Sequence, residues 1–222
     1  MTCEVIATGS TGNAVLLNGE ILIDCGVPFK KLEPYVKDLK LVLLTHEHSD
    51  HFKPRTISAL HKARPTLRFV CCKWMVPHLL KAKVGKRVID VMNPDRPAIA
   101  CYPVVADIHP FHLEHDVPNC GWRIYLPYDN REKVIYATDC HDLDNVSATG
   151  YDLYLIEANH REREIQETIK RKKEAGEFCY EERAAQVHMS EERALAWLDK
   201  NMGPRSQYIL LHGHVEKGGA NA

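Results

Sequence analysis

The chain has 222 residues, 45% of them hydrophobic and 27% charged, which excludes intrinsic disorder and a fibrous fold. Its 29 Lys and Arg against 30 Asp and Glu give a formal charge of −1, which excludes a strongly basic nucleic-acid coat. No apolar run approaches the ~20 residues that span a bilayer and the stretch Met1-Thr2-Cys3-Glu4 lacks the basic flank of a signal peptide, so a cytoplasmic protein without a membrane partner is expected, its 8 cysteines reduced.

Cys3–Ala7 reads as a strand running into the turn Thr8-Gly9-Ser10-Thr11-Gly12-Asn13. Ala14–Leu17 and Ile21–Ile23 follow as strands. Asn18-Gly19 between them predicts a tight hairpin, because both residues tolerate positive φ. Asp24-Cys25-Gly26 ends the second of these strands. Residues 28–37 predict a helix with a kink or restart at Pro34. Residues 41–45 are nearly all apolar, as a strand buried on both faces requires, and 46–51 form the loop after it. Pro54–Ala63 predicts a helix with its proline in the first turn, 67–71 a strand and 74–81 a helix. Short strands are expected at 87–91 and 98–104. Residues 121–126 and 133–138 read as a second hairpin around Tyr128-Asp129-Asn130. A strand at 153–156, a charged helix at 161–173, helices at Glu181–Val187 and 191–200, and a strand at Gln207–Leu211 complete the order. Two hairpins, each followed by alternating strands and helices, predict an α/β sandwich with two sheets inside and helices outside. No linker is visible, so residues 1–222 are expected to form one domain.

Chemistry concentrates in Thr45-His46-Glu47-His48-Ser49-Asp50-His51. The segment follows a buried strand, whose alternating faces let His46 and His48 point the same way while Asp50 and His51 face a second metal. Imidazole nitrogen together with carboxylate oxygen suits zinc, manganese or iron. The zinc-peptidase pattern HExxH is absent, because the residue three after Glu47 is Asp50.

The segment has the form HxHxDH and resembles the signature of the metallo-β-lactamase-fold superfamily. The resemblance extends over nearly the whole chain. Thr8 to Ala14 resembles the family's early glycine and serine turn, Leu22-Ile23-Asp24-Cys25-Gly26 its buried-aspartate motif, and Ala137-Thr138-Asp139 the end of the hairpin with the bridging aspartate. Gly9-Ser10-Thr11-Gly12-Asn13, Glu157-Ala158-Asn159-His160 and His188-Met189-Ser190 resemble the WalJ/YycJ-type, exonuclease-like branch. The fold implied is a four-layer αββα sandwich. The ligands implied are His46, His48 and His115 for one divalent ion and Asp50, His51 and His212 for a second, with Asp139 bridging. His112 competes with His115, and His214 with His212, where Gly213-His214-Val215-Glu216-Lys217 departs from the branch. Asp24 is expected to support a ligand imidazole. Asp50, His160 and His188 are the candidate catalytic residues. Asp50 would orient a water, and either histidine would bind a phosphate or protonate the leaving oxygen. His61, His78, His109 and His141 are read as having no catalytic role.

Two cations of this kind, Zn2+ or Mn2+, share a hydroxide nucleophile and polarise a phosphoryl oxygen. The resemblance therefore implies a phosphodiester hydrolase, foremost a DNA nuclease. A small cyclic-nucleotide phosphodiesterase and a metal-stabilised binding protein without activity are the alternatives. A homodimer is compatible with each. Two small basic clusters, Lys170-Arg171-Lys172-Lys173 and Lys81, Lys83, Lys86 and Arg87, are read as solvated faces before phosphate contacts.

Overall fold

The computed structural model describes residues 1–96, 100–127 and 131–213. Its strands form two six-stranded mixed sheets. The first runs in the order β1 (Cys3–Ala7), β2 (Ala14–Leu17), β3 (Ile21–Ile23), β4 (Leu41–Leu44), β5 (Arg68–Cys72), β6 (Ile89–Met92). It is antiparallel through β3 and parallel from β3 to β6. The second sheet has the order β12-β11-β10-β9-β8-β7, built from β7 (Ala100–Tyr102), β8 (Ala106–Leu113), β9 (Asn119–Tyr125), β10 (Lys133–Ala137), β11 (Leu153–Glu157) and β12 (Gln207–Leu211). Here β10, β11 and β12 are parallel and the rest antiparallel.

Alternation along the strands builds the layers. Ile21, Ile23, Leu41, Leu43 and Val70 share one core with Trp122, Val134, Tyr136 and Leu155, so these faces of the two sheets meet. Leu22, Val42, Leu44 and Phe69 point the other way, into a core with Leu32 of α1 (Phe29–Leu32), Ile57 and Leu60 of α2 (Pro54–Ala63) and Leu79 of α3 (Val76–Lys81). Ile135, Tyr154 and Ile156 pack outward onto Ala194, Trp197 and Leu198 of α6 (Glu191–Asn201). The result is the expected αββα sandwich. An arm of two further helices, α4 (Glu162–Glu174) and α5 (Glu181–Val187), carries its own small core of Ile165, Ile169 and Ala184. Among the described residues no helix is long and apolar enough to cross a membrane.

The structure differs from the sequence expectation in three places. The helix expected over 28–37 is α-helical only at Phe29–Leu32 and tightens to a 3-10 turn at Glu33–Tyr35, where Pro34 cannot donate to the preceding turn. The 74–81 helix likewise opens with a 3-10 turn at Lys73–Met75 before α3. The eight-residue strand β8 was not expected at all. Pro110 in its middle argues against a strand from sequence. Among the described residues β7 pairs with β8 only over Ala106–Ile108, and the stretch with Pro110 is held in the sheet by β9. Tyr128, Asp129 and Asn130 of the second hairpin lie outside the described residues.

Gly26 shows how closely the loops pack beneath the site. A Cβ there would lie 1.6 Å from the Asp50 carbonyl oxygen and 2.8 Å from the Asn13 nitrogen. Both contacts are backbone, so no side chain can yield. Gly26→Ala is expected to cost about 3 kcal/mol or more, read as a drop in urea midpoint with the slope unchanged. A midpoint at the wild-type value would refute this packing.

Candidate metal centre

The site forms at the seam where the two sheets end. His46, His48, Asp50 and His51 follow β4, His115 follows β8, Asp139 follows β10 and His212 follows β12. Asp24, Asp139 and His212 all have φ near +60° (59°, 59° and 60°). This left-handed conformation costs a residue with a side chain about 1 kcal/mol or more, and it recurs where a site over-determines the backbone. Here it turns each side chain off its strand end into the seam.

Three donor groups result: the two expected ligand sets, and a third in which Asp139 and His212 converge with Glu157 and His188. His46, His48 and His115 converge with one ring nitrogen each, and Asp50, His51, Asp139 and His212 converge with one donor atom each, every set within 4.8 Å. Asp139 Oδ2 lies 2.9 Å from His51 Nε2, and its Oδ1 lies 3.5 Å from His212 Nε2 and 3.9 Å from His115 Nε2. One carboxylate thus faces both expected sets. His115 and not His112 joins the first set; His112 is exposed and pairs with Asp95 at 2.7 Å. His212 joins the second set, and His214 lies outside the described residues.

Surrounding hydrogen bonds fix which nitrogen faces the seam. Asp24 is fully buried and accepts from the Thr45 amide, the Thr45 hydroxyl, Tyr136 Oη and His51 Nδ1, the last at 2.7 Å. His51 therefore presents Nε2, as its support by Asp24 requires. The Thr45 hydroxyl donates to Asp24 and so accepts from His46 Nδ1 at 2.9 Å, which leaves His46 Nε2 a bare lone pair. That nitrogen is buried and has no hydrogen-bond partner among the described residues. His48 Nε2 lies 3.4 Å from Asp116 Oδ1, leaving His48 Nδ1 3.3 Å from His115 Nε2. Asp116 is in turn ion-paired to Arg183 of α5, tying the helical arm to the centre.

Two supports were not identified from sequence as individual residues. Asn13 is buried, accepts from the Gly9 amide at 2.9 Å, and places Nδ2 2.8 Å from His51 Nε2. Glu157 is fully buried, and its Oε1 accepts from His188 Nδ1 at 2.7 Å and from His212 Nδ1 at 3.2 Å. It thereby aims His212 Nε2 at Asp50 and Asp139 and holds His188 over the centre, 5.0 Å from His212 between ring centroids. Only its place in the Glu157-Ala158-Asn159-His160 motif marked it. His160 stands apart from the donors: its backbone bridges to Ser190, and its ring lines cavities beside the centre.

The electrostatics call for positive charge. Burial raises the pKa of the Asp139 carboxyl, but His51 and His212 outweigh it and hold the group well below the usual carboxylate range. Burial lowers the His51 and His212 pKa values, yet Asp139 with Asp24 lifts His51 well above the imidazole norm, and Asp139 with Asp50 and Glu157 lifts His212 to about 10. Burial, helped by His51, pushes His46 well down, keeping it the neutral donor a metal needs. A buried lone pair without a proton donor, beside a carboxylate shared by two donor sets, fits a pair of divalent cations.

The basic run in α4 is not a free patch. Lys172 pairs with Glu181 at 2.5 Å, Lys173 with Glu182, and Lys170 with Glu174 at 4.0 Å.

Comparison with known proteins places this fold. Exodeoxyribonuclease YycJ of Bacillus anthracis is 39% identical over 60 residues, a match that covers 22% of this chain and 23% of that protein. The metallo-β-lactamase fold protein YhfI from Bacillus subtilis superposes with a TM-score of 0.69 at 21% identity, over 95% of this chain and 85% of its own. The short form of human tRNase Z gives a TM-score of 0.67 at 16% identity, over 96% and 93%. These structural likenesses establish the shared fold. The family model described as the beta-lactamase superfamily domain matches residues 20–212, and the chain belongs to that superfamily.

Proposed function

We propose that the protein is a dinuclear-metal-dependent phosphodiester hydrolase, acting on DNA in the cytoplasm, with residues 1–222 working as one domain. The observation that carries this reading is the single buried carboxylate of Asp139 set between two donor groups, with the Glu157–His188 pair beside them. His46, His48 and His115 would hold one ion, Asp50, His51 and His212 the other, and Asp139 both. Bound there, two divalent ions such as Zn2+ or Mn2+ supply Lewis acidity and an activated water.

The chain's own residues do the rest. Asp50 Oδ2 lies 3.3 Å from His212 Nε2 and 3.4 Å from Asn13 Nδ2, which fixes the carboxylate so that it orients the attacking water. As the phosphorus–oxygen bond breaks, the departing oxygen needs a proton. His188, locked by Glu157 through Nδ1, offers it from the other ring nitrogen. His160 is assigned to substrate phosphate. The choice of DNA is supported by the name of the exodeoxyribonuclease YycJ, to which 60 residues of this chain are 39% identical.

The manganese-loaded protein is expected to degrade an end-labelled linear DNA duplex, and His48→Ala to lose that activity while keeping the wild-type circular dichroism spectrum. Full activity in His48→Ala would sink the dinuclear mechanism. No degradation by a protein that holds two ions would move the assignment to a small cyclic phosphodiester.

A further inference from the structure

A cavity of about 230 Å³ lies beside His188, walled by α4, the end of α5, the start of α6 and the loop after Asp139. Its polar lining carries nitrogen on His141, His160, Gln166, His188 and Arg193, against one carboxylate, that of Glu162. Arg193 Nη1 donates to His141 Nε2 at 2.6 Å, which leaves the His141 proton on Nδ1. That Nδ1 is buried and has no partner among the described residues, and His160 Nδ1 is in the same condition. Two buried imidazole nitrogens without partners, each costing about 1–3 kcal/mol, ask for an explanation. Arg193 also lies 3.7 Å from Glu162, but a guanidinium has five donors, and these two neighbours do not exhaust them.

We propose that this cavity is a second phosphate subsite, holding the substrate phosphate next to the one cleaved. It rests on the phosphodiester-hydrolase reading and narrows it. An oxyanion would take the unpartnered Nδ1–H of His141 and the guanidinium of Arg193, a charge-assisted arrangement suited to phosphate, with His160 joining in the tautomer that carries its proton on Nδ1. His188 lines both this cavity and the metal centre, so a group held here belongs to the same substrate as the scissile phosphate. A cyclic mononucleotide has a single phosphate and leaves the subsite empty. A polynucleotide fills both, so the subsite selects a substrate with successive phosphates, and His141 becomes a binding residue.

The test uses the manganese-loaded full chain and a labelled single-stranded oligonucleotide with phosphorothioate links, which keep the charge and resist cleavage. Fluorescence anisotropy is followed across a salt series, and cleavage of ordinary DNA is measured alongside. Arg193→Ala is expected to weaken binding about tenfold and to make the plot of log affinity against log salt shallower by about 0.7, the loss of one phosphate contact on a single strand. Gln166→Glu, which changes an exposed residue of α4 and brings a negative charge to the cavity, is expected to weaken binding several-fold without disturbing Arg193. Wild-type affinity and slope in both variants would overturn the subsite, and DNA cleavage by the wild type would then leave the hydrolase standing. Binding with the expected slope change but no cleavage of any phosphodiester would support the subsite and sink the hydrolase.

Discussion

Asp139→Asn is expected to leave a protein that no longer retains two metal ions. The carboxylate is 1% exposed and stands between His51, His212 and His115 at 2.9, 3.5 and 3.9 Å. Among the described residues it is the one carboxylate within 4 Å of histidines from both donor groups, so one substitution removes an anionic donor from each. The loss should exceed the ~10–100-fold drop in metal affinity that follows removal of a merely orienting residue. The fold has an independent hold on this turn, because Asn119 Nδ2 donates to the carbonyls of Thr138 at 3.0 Å and Asp139 at 2.8 Å. Asparagine also accepts the left-handed backbone here better than alanine does. Metal content after dialysis, read by elemental analysis, should fall from two equivalents to one or fewer. Two tightly held ions in Asp139→Asn would refute its shared role.

Replacing His188 should separate chemistry from metal binding. His188→Ala is expected to lower kcat on DNA by about 10²–10⁴, the usual worth of a positioned proton donor, while metal content stays at two equivalents. The same variant should lose far less on bis(p-nitrophenyl) phosphate, because p-nitrophenolate departs without a proton. An equal loss on both substrates would show that His188 supports the site rather than protonating the leaving oxygen. Glu157→Gln is the informative companion. Its carboxylate accepts from His188 and His212 and also from the Cys140 amide at 2.8 Å, so this variant should lose both rate and metal.

How much of this was legible in the sequence depends on whether neighbours in the chain are neighbours in space. His46, His48, Asp50 and His51 are contiguous, so their pattern announced a metal site before any fold was known. Asp139 and His212 are brought in by strands from the far sheet, and the resemblance to a family, not spacing, pointed to them. The strand alternation of Ile21 to Ile23 and Leu41 to Leu44 was readable because buried faces demand apolar residues on both sides. β8 was not, because Pro110 carries a local signal that the tertiary pairing overrides. The positive φ values of Asp24, Asp139 and His212 leave no mark on a sequence, since neither residue type requires that conformation. Glu157 stood out only as the first residue of the Glu157-Ala158-Asn159-His160 motif; its meaning comes from complete burial between two histidines. The tie from Arg183 to Asp116 joins positions 67 residues apart, a pairing no local pattern could suggest.

The seam between the sheets has a consequence for how the molecule comes to be active. On the proposed ligand set, the first sheet presents four donors and the second presents three, and neither completes both ion sites by itself. A chain in which one sheet has formed and the other has not holds half of each chelate. Tight capture of cations therefore waits for the two sheets to dock in register, and capture then stabilises that docked state by about 2.7 kcal/mol for each site at a hundredfold excess over its dissociation constant. On the proposed ligand set the centre would act as an inspector of assembly: a misdocked sandwich would go unmetallated and stay idle.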